Sequence, residues 1–348
     1  MNWQEKNVLV TGGASFIGSH LVDALIKREA KYIRVVDNLS SGKLENIRKH
    51  LDSGRVHFIL GDLLVEKGLR DAFRGKIDVV FHLAADHGGR GYVDLHQVNC
   101  ARNLWLDGQF FAACEKAKVE KVLYASSGCI YPGYKQSDIT KEIYLKEEDD
   151  GRELGYSADN MYGWAKLMAE MTLGAYYKER RMKSASLRFF TVYGNRGKED
   201  HAVISMIAKA FIRQNPFEIW GTGEAVRNWT HVTDIVEGMV LAAEKVDDAQ
   251  AINLGTNERI RVVDAAHSVI DYVQEKYYSN YNPHFKFLRD MPVGPLNRTT
   301  DYSLAIDTLG WGPKIKFEDG VKTTIDWYFA NKNPEEIKQI VKNKLTER

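Results

Sequence analysis

Tyr162 and Lys166 stand four residues apart in MYGWAK, a spacing that puts both side chains on one face of a helix and lets their polar ends converge. A tyrosine normally holds its proton until pH ~10, but a neighbouring ammonium favours the phenolate, and a phenolate can take a proton from an alcohol. Ser127, at the end of an apolar run in YASSGCIYP, is placed to donate to the same oxygen. Together the three residues are expected to remove a proton from a hydroxyl while another group takes the hydride. Spacing alone does not establish this, because a Tyr and a Lys four apart also occur on helices that do no chemistry.

A hydride acceptor is implied at the other end of the chain. The run Asn7 to Thr11 leads directly into Thr11-Gly12-Gly13-Ala14-Ser15-Phe16-Ile17-Gly18 and then a helical pattern. Glycines there permit a tight turn and let backbone N–H groups approach a pyrophosphate. Asp37 follows Gly18 by 19 residues at the end of a second run. A carboxylate there accepts from an adenosine ribose and repels a 2′-phosphate, so NAD is expected and NADP disfavoured. The expected cofactor lining is Gly12, Ser15, Phe16, Ile17 and Gly18 in the turn, Asp37 with Asn38, Asp62 with Leu63, and Leu83 to Ala85, completed by Tyr162 and Lys166. Ser15 replaces the second glycine of the usual spacing; its Cβ crowds the phosphates slightly, and its hydroxyl is free to donate to them.

The elements between these sites must bring them together. Short apolar runs recur at Asn7 to Thr11, Ile33 to Asp37, Val56 to Leu60, Val79 to Leu83, Val122 to Ser126 and Ser184 to Phe189, with helix-period stretches between. Leu21, Val22, Leu25 and Ile26 share one helical face, and Asn99 to Ala117 and Met161 to Arg180 read as longer helices. The alternation predicts an α/β fold: a doubly wound, Rossmann-type parallel sheet over residues 1–190, which also carries Ser127, Tyr162 and Lys166. Residues 191–348 are expected to form a smaller substrate-binding α/β part, with some strands and helices returning to the first. It opens with a helix at His201 to Arg213 and strands at Phe217 to Trp220 and Asn228 to Val232. From Asn333 a lysine-rich segment reads as a solvated terminal helix or tail.

Composition narrows the partners. The 48 Lys and Arg balance 47 Asp and Glu, so no general field draws the chain to nucleic acid or an acidic membrane. Cys100, Cys114 and Cys129 are an odd number without metal-ligand spacing, which fits a reducing compartment and predicts no metal site. With no signal-peptide pattern and no apolar run near the roughly 20 residues of a membrane span, a cytoplasmic protein is expected.

TGGASFIG, HLAA at His82 to Ala85, the serine at the strand end, YxxxK and RFFTVYG together resemble the extended short-chain dehydrogenase/reductases, over roughly residues 5 to 330. AADHGGRGY, YASSGCIYP, WGTG at Trp220 to Gly223 and RNWTHVTDIVEG from Arg227 are most similar to the GDP-mannose 3,5-epimerase branch. That resemblance implies a homodimeric isomerase that oxidises C4 of a GDP-sugar transiently and inverts C3, C5 or both. It places a catalytic cysteine at Cys129. At His201 the plant-type enzymes carry lysine and GDP-fucose synthases histidine, so this chain is a hybrid of the two. A thiol and an imidazole suit the chemistry, since inversion beside a ketone needs one group to remove a proton and another to return it. A cysteine after a strand can equally be packing, and a histidine opening a helix can be a cap. Dehydratase relatives carry an Asp-Glu pair where this chain has Gly128 and Cys129, which argues against elimination of water. Gly88 and Gly89 are expected to let a loop approach the sugar; Thr191, in place of a common asparagine, and Ser127 join them as sugar contacts. Arg227 and Arg298 match positions that reach the diphosphate. Three other readings stay open: a 4-epimerase in which Cys129 is a bystander, a 4-keto-sugar reductase, which Asp37 disfavours because such enzymes draw on NADPH, and a dinucleotide-sensing protein without catalysis.

Overall fold

The computed structural model describes residues 1–151 and 158–342. Residues 343–348 of the lysine-rich tail lie outside them, and the described part of that segment forms a helix, Pro334–Lys342, that buries Ile337.

Six strands build the first half: β1 (Asn7–Thr11), β2 (Tyr32–Asp37), β3 (Val56–Leu60), β4 (Val79–His82), β5 (Lys121–Ser127) and β6 (Lys183–Phe189). They pair in parallel in the order β6-β5-β4-β1-β2-β3, and the strand Asp248–Leu254 joins beyond β6 to make seven. Val8, Leu9 and Val10 of β1 and Val79, Val80 and Phe81 of β4 are fully buried, as continuous apolar runs covered on both faces should be. The first helix, α1 (Phe16–Lys27), buries Leu21, Val22 and Leu25 on one face of the sheet, and the helix Val232–Lys245 packs beside it. On the other face the helices Gln97–Lys116 and Asn160–Arg180 pack together, burying Leu106, Phe110, Phe111, Ala169 and Leu173. The chain order reverses between β1 and β4, and a crevice opens beyond the carboxyl ends of the strands at that switch.

Two polar networks hold the switch point. Thr11 Oγ1 accepts the Leu83 and Ala84 N–H groups, both at 3.1 Å, so its own proton goes to His82 Nδ1 at 2.8 Å. His82 Nε2 then donates to Asp107 at 3.1 Å, and burial keeps the ring neutral by lowering its pKa. The result ties β1, β4 and the helix Gln97–Lys116 together directly under the crevice. Further along, the Arg188 guanidinium on β6 binds Glu170 and Asp150, with both Arg188 and Glu170 almost wholly buried. Such a pair fixes geometry because neither charge tolerates losing its partner.

The second half clusters around the helix Ala202–Phe211, whose Val203, Ile204, Ile207 and Ala208 pack with Ala265, Val269, Phe317 and Ile325. His20 on α1 bridges the halves, donating from Nε2 to the Asn195 carbonyl at 2.8 Å. Burial, then the Arg196 charge, lowers its pKa to about 4. Because the folded value lies below the unfolded 6.5, the unfolded chain takes up this proton first as pH falls. Stability from neutral His20 is therefore complete above pH 6.5 and lost between 6.5 and about 4. His20→Gln, measured by urea unfolding at steps across that window, is expected to flatten the decline relative to the parent protein; parallel curves would exclude the bridge as an acid-sensitive joint.

Candidate active site

One cavity of about 650 Å³ occupies the crevice, and the residues expected to meet cofactor or sugar, from Gly12 to Arg298, line it. At its nucleotide end the chain turns after β1 with Gly12 at φ +68°, where a Cβ would sit 3.0 Å from the Ala84 nitrogen. A Cβ on Gly18 would lie 2.2 Å from the Gly12 carbonyl oxygen, so the first turn of α1 can follow β1 this closely only with glycine there. Ser15 caps the helix at φ −82°, an ordinary conformation. Its hydroxyl is directed at Asp37 Oδ2, 3.4 Å away, instead of outward as expected for a phosphate donor. The reason is local: Asp37 sits behind the turn, accepting from the Ala14 N–H at 3.0 Å and the Leu39 N–H at 2.8 Å, and its negative charge attracts the nearest hydroxyl. Gly42, which the sequence reading passed over, covers the same carboxylate; a Cβ there would meet it at 2.7 Å.

The fit to a dinucleotide follows from this cradle: the N-terminus of a twelve-residue helix, a left-handed glycine before it, and a carboxylate at the next strand end. Asp37→Asn removes the charge and one of the two acceptor oxygens, so one of the backbone N–H bonds from Ala14 and Leu39 is lost with it. NAD binding, followed by calorimetry, is expected to weaken by about 1.5–3 kcal/mol with NADP gaining relative to it. Unchanged selectivity would remove Asp37 from the discrimination.

At the other end, Ser127 closes β5 and its Oγ accepts the Cys129 N–H at 3.1 Å, which folds Gly128–Ile130 into a single tight turn. The helix Asn160–Arg180 presses on that turn through Gly163, where a Cβ would stand 2.1 Å from the Cys129 carbonyl oxygen. This contact sets the height of Tyr162 against Ser127, whose hydroxyl acts to lower the phenol's pKa. Lys166 is anchored to the strand that carries Ser127. Its Nζ donates to the Ala125 carbonyl at 2.8 Å, 4.6 Å from the centre of the Tyr124 ring and 5.7 Å from that of Tyr162. Burial is the largest influence on both groups, lowering the Lys166 pKa and holding the Tyr162 phenol well above its ordinary range. The pull toward phenolate comes from Ser127.

Cys129 faces a cluster of guanidinium groups. Arg298 Nη1 lies 3.2 Å from its Sγ, while Nη2 binds Asp159 at 2.9 Å and Nε donates to Gln136 at 2.6 Å. Arg90, another residue not singled out, bridges Asp94 and Asp159. Among the described residues Arg227 has backbone partners only, the carbonyls of Val226 and Val293 at 2.8 and 2.7 Å. Burial and then Arg298 drive its pKa down to about 9, so it sits in the cavity without a carboxylate among the described residues and favours an anion there. Asp159 and Gln136 lie in polar stretches that carry no motif, and Arg90 and His87 stand inside AADHGGRGY beside the two glycines that drew notice.

Gly88 and Gly89 line the cavity, but packing within the protein accounts for them. A Cβ on Gly88 would meet Tyr92 at 2.7 Å and one on Gly89 would meet the Asp200 carbonyl oxygen at 2.0 Å. Gly89 N–H also donates to Asp200 Oδ2 at 3.0 Å, clamping this loop to the one that carries His201. His201 occupies the N-cap position of Ala202–Phe211 without making a side-chain cap bond, leaving its ring at the cavity wall. Thr191 lies on a short strand, Thr191–Tyr193, paired with Trp229–His231.

The chain belongs to the NAD dependent epimerase/dehydratase family, whose model matches residues 8–255. It is 29% identical over 334 residues to GDP-mannose 3,5-epimerase of Arabidopsis thaliana, covering 93% of this chain and 83% of that protein. It is also 29% identical over 334 residues to dTDP-D-glucose 4,6-dehydratase of Homo sapiens, covering 94% and 91%. Among solved structures, UDP-glucuronic acid 4-epimerase of Bacillus cereus, in complex with UDP-glucuronic acid and NAD, superposes with a TM-score of 0.78 at 28% identity over 96% of this chain and 99% of that one. The doubly wound fold and NAD as cofactor are thereby shown. The three relatives are named for three different reactions, so the reaction must be argued from the site. No described helix is long and apolar enough to cross a membrane.

Proposed function

We propose that this protein is an epimerase of a nucleotide-diphosphate sugar, a GDP-hexose or a related GDP-sugar, that oxidises C4 transiently and inverts C3, C5 or both. The observation that carries the reading is Cys129: a thiol held in the cavity two residues from Ser127, 3.2 Å from a buried guanidinium, where eliminating relatives would place carboxylates. NAD, when bound, supplies the reversible hydride acceptor at C4. Tyr162 removes the proton of the C4 hydroxyl with Ser127 donating to the same oxygen, and Lys166 holds the end of β5 through the Ala125 carbonyl. The ketone acidifies the C–H bonds on either side, and Cys129 and His201 remove and return protons from opposite faces. Arg227 and Arg298 receive the diphosphate, and guanosine is favoured by likeness to the 3,5-epimerase.

Assembly as a homodimer is part of the proposal. It is supported by an exposed apolar set on the paired helices, Val98, Trp105, Met168 and Met171. A cytoplasmic location is proposed from the three free cysteines and the balanced charge.

The test is proton NMR of GDP-mannose with the NAD-loaded protein in D₂O. Deuterium at C3 or C5 with new sugar isomers supports the reading. A C4 epimer without deuterium replaces it with 4-epimerisation, the activity in the name of the Bacillus cereus neighbour. No conversion of GDP-mannose or of a panel of other nucleotide sugars would remove the enzymatic reading.

A further inference from the structure

His87 lies in the cavity wall and has no part in the mechanism above. Its ring stacks on that of Tyr162, with centroids 4.9 Å apart and planes inclined by 27°, and the His201 ring lies 5.7 Å away. Nδ1 is buried and has no hydrogen-bond partner among the described residues. An orphaned buried nitrogen carries a cost of about 1–3 kcal/mol, so its retention beside a reacting tyrosine calls for an explanation. The two histidines are also locked in place together. Gly89, two residues after His87, fits against Asp200, the residue before His201, so closely that no Cβ could stand between them, and its N–H is bonded to the Asp200 carboxylate.

Building on the epimerase reading, and moving His201 one step back from the carbon, we infer that His87 is a further proton-transfer residue: it takes the proton from the sugar carbon next to the transient C4 ketone and passes it to His201, which relays it to water. An imidazole suits this because one ring nitrogen accepts while the other releases. In the step, the C–H bond breaks, its electron pair moves into the enolate, and the proton joins His87. Cys129 then delivers its thiol proton to the opposite face of the same carbon, re-forming the ketone with inverted configuration. His87 gives its proton to His201, which is partly exposed and exchanges it with water, and water reprotonates the Cys129 thiolate. The surroundings keep the ring neutral, with a lone pair free to accept, and favour handing the proton on. Burial, then His201, lowers the His87 pKa to about 3; Lys166 and Lys198 act in the same direction and Asp200 against them.

His87→Phe keeps the stack on Tyr162 and removes both nitrogens, whereas His87→Ala opens a space that added imidazole can enter. With GDP-mannose in D₂O, the first variant is expected to lose at least about 10²-fold of the deuterium exchange at C3 and C5, while reduced cofactor absorbing at 340 nm still forms. Imidazole should restore part of the exchange in His87→Ala, which a purely structural role would not allow. In ¹⁵N-histidine spectra, His201→Phe should move the His87 titration upward. Exchange at the parent rate in His87→Phe, or no rescue by imidazole, overturns the inference and leaves the epimerase reading standing. Silence of the parent protein with every nucleotide sugar overturns both.

Discussion

Tyr162→Phe is expected to lower turnover by about 10²–10⁴-fold while leaving the fold and NAD binding intact. The substitution removes one oxygen and nothing else. The ring keeps its stack on His87 and its place among Tyr92, Val93, Cys100 and Cys129. Loss of one buried hydroxyl alters local stability by about 0.5–1.5 kcal/mol, too little to unfold a domain of this size. The kinetic loss is large because neither Lys166 nor Ser127 is placed to act as the base at this oxygen. Lys166 is committed to the Ala125 carbonyl, and the Ser127 hydroxyl already serves the Cys129 N–H. The measurement is the rate of cofactor reduction on mixing with substrate, alongside a thermal melt and an NAD titration. A variant that binds NAD normally and reacts at more than a tenth of the parent rate would show that another group takes the proton.

The same residue shows where sequence spacing stops informing. Four residues on a helix correctly put Tyr162 and Lys166 on one face, whereas the spacing says nothing of burial, which is the largest influence on both groups and opposes the charged form of each. Burial depends on Tyr124, Ala125 and Cys129, which arrive from β5 and the turn beyond it. β1, by contrast, was legible to the residue, since a strand covered on both faces announces itself as a continuous apolar run bounded by turn residues, and β3, at the sheet edge with His57 and Leu60 exposed, was legible because its apolar residues stand between Gly54 and Gly61. The strand Asp248–Leu254 was not, because Asp248 and Gln250 interrupt its apolar pattern and it slips register between Asp248 and Ala251.

Close approaches were the least legible feature of the site. Gly163 looks like a neutral interruption of a helix until the Cys129 carbonyl is found against it, and Gly89 looks like a flexible turn until Asp200 is found there. Both reasons lie 34 and 111 residues away in the chain. Cys129 and His201 could be named from motif position, whereas His87 and Arg90 could not. They become visible only when the loop after β4 is seen folded against Tyr162 and Asp159.

Cys129→Ser separates the open reactions most sharply. Deuterium exchange at C3 and C5 is expected to fall by about 10²–10⁴-fold, with transient C4 oxidation surviving because Ser127 and Tyr162 are untouched. The geometry should persist: the backbone turn is held by the Cys129 N–H and carbonyl, and an oxygen accepts from Arg298 at least as well as sulfur does. What changes is acidity, since a serine hydroxyl gives up its proton far less readily than a thiol. If Cys129 only packed against the cluster around Tyr162, serine would leave every rate within a few-fold of the parent. A 4-epimerase would give that result, with the ketose turning between hydride transfers and no carbon-bound proton exchanged. Parallel time courses at 340 nm and by deuterium NMR resolve the two cases. Reduced cofactor that forms while exchange stops assigns the thiol to carbon, and full epimerisation without exchange assigns the whole reaction to C4.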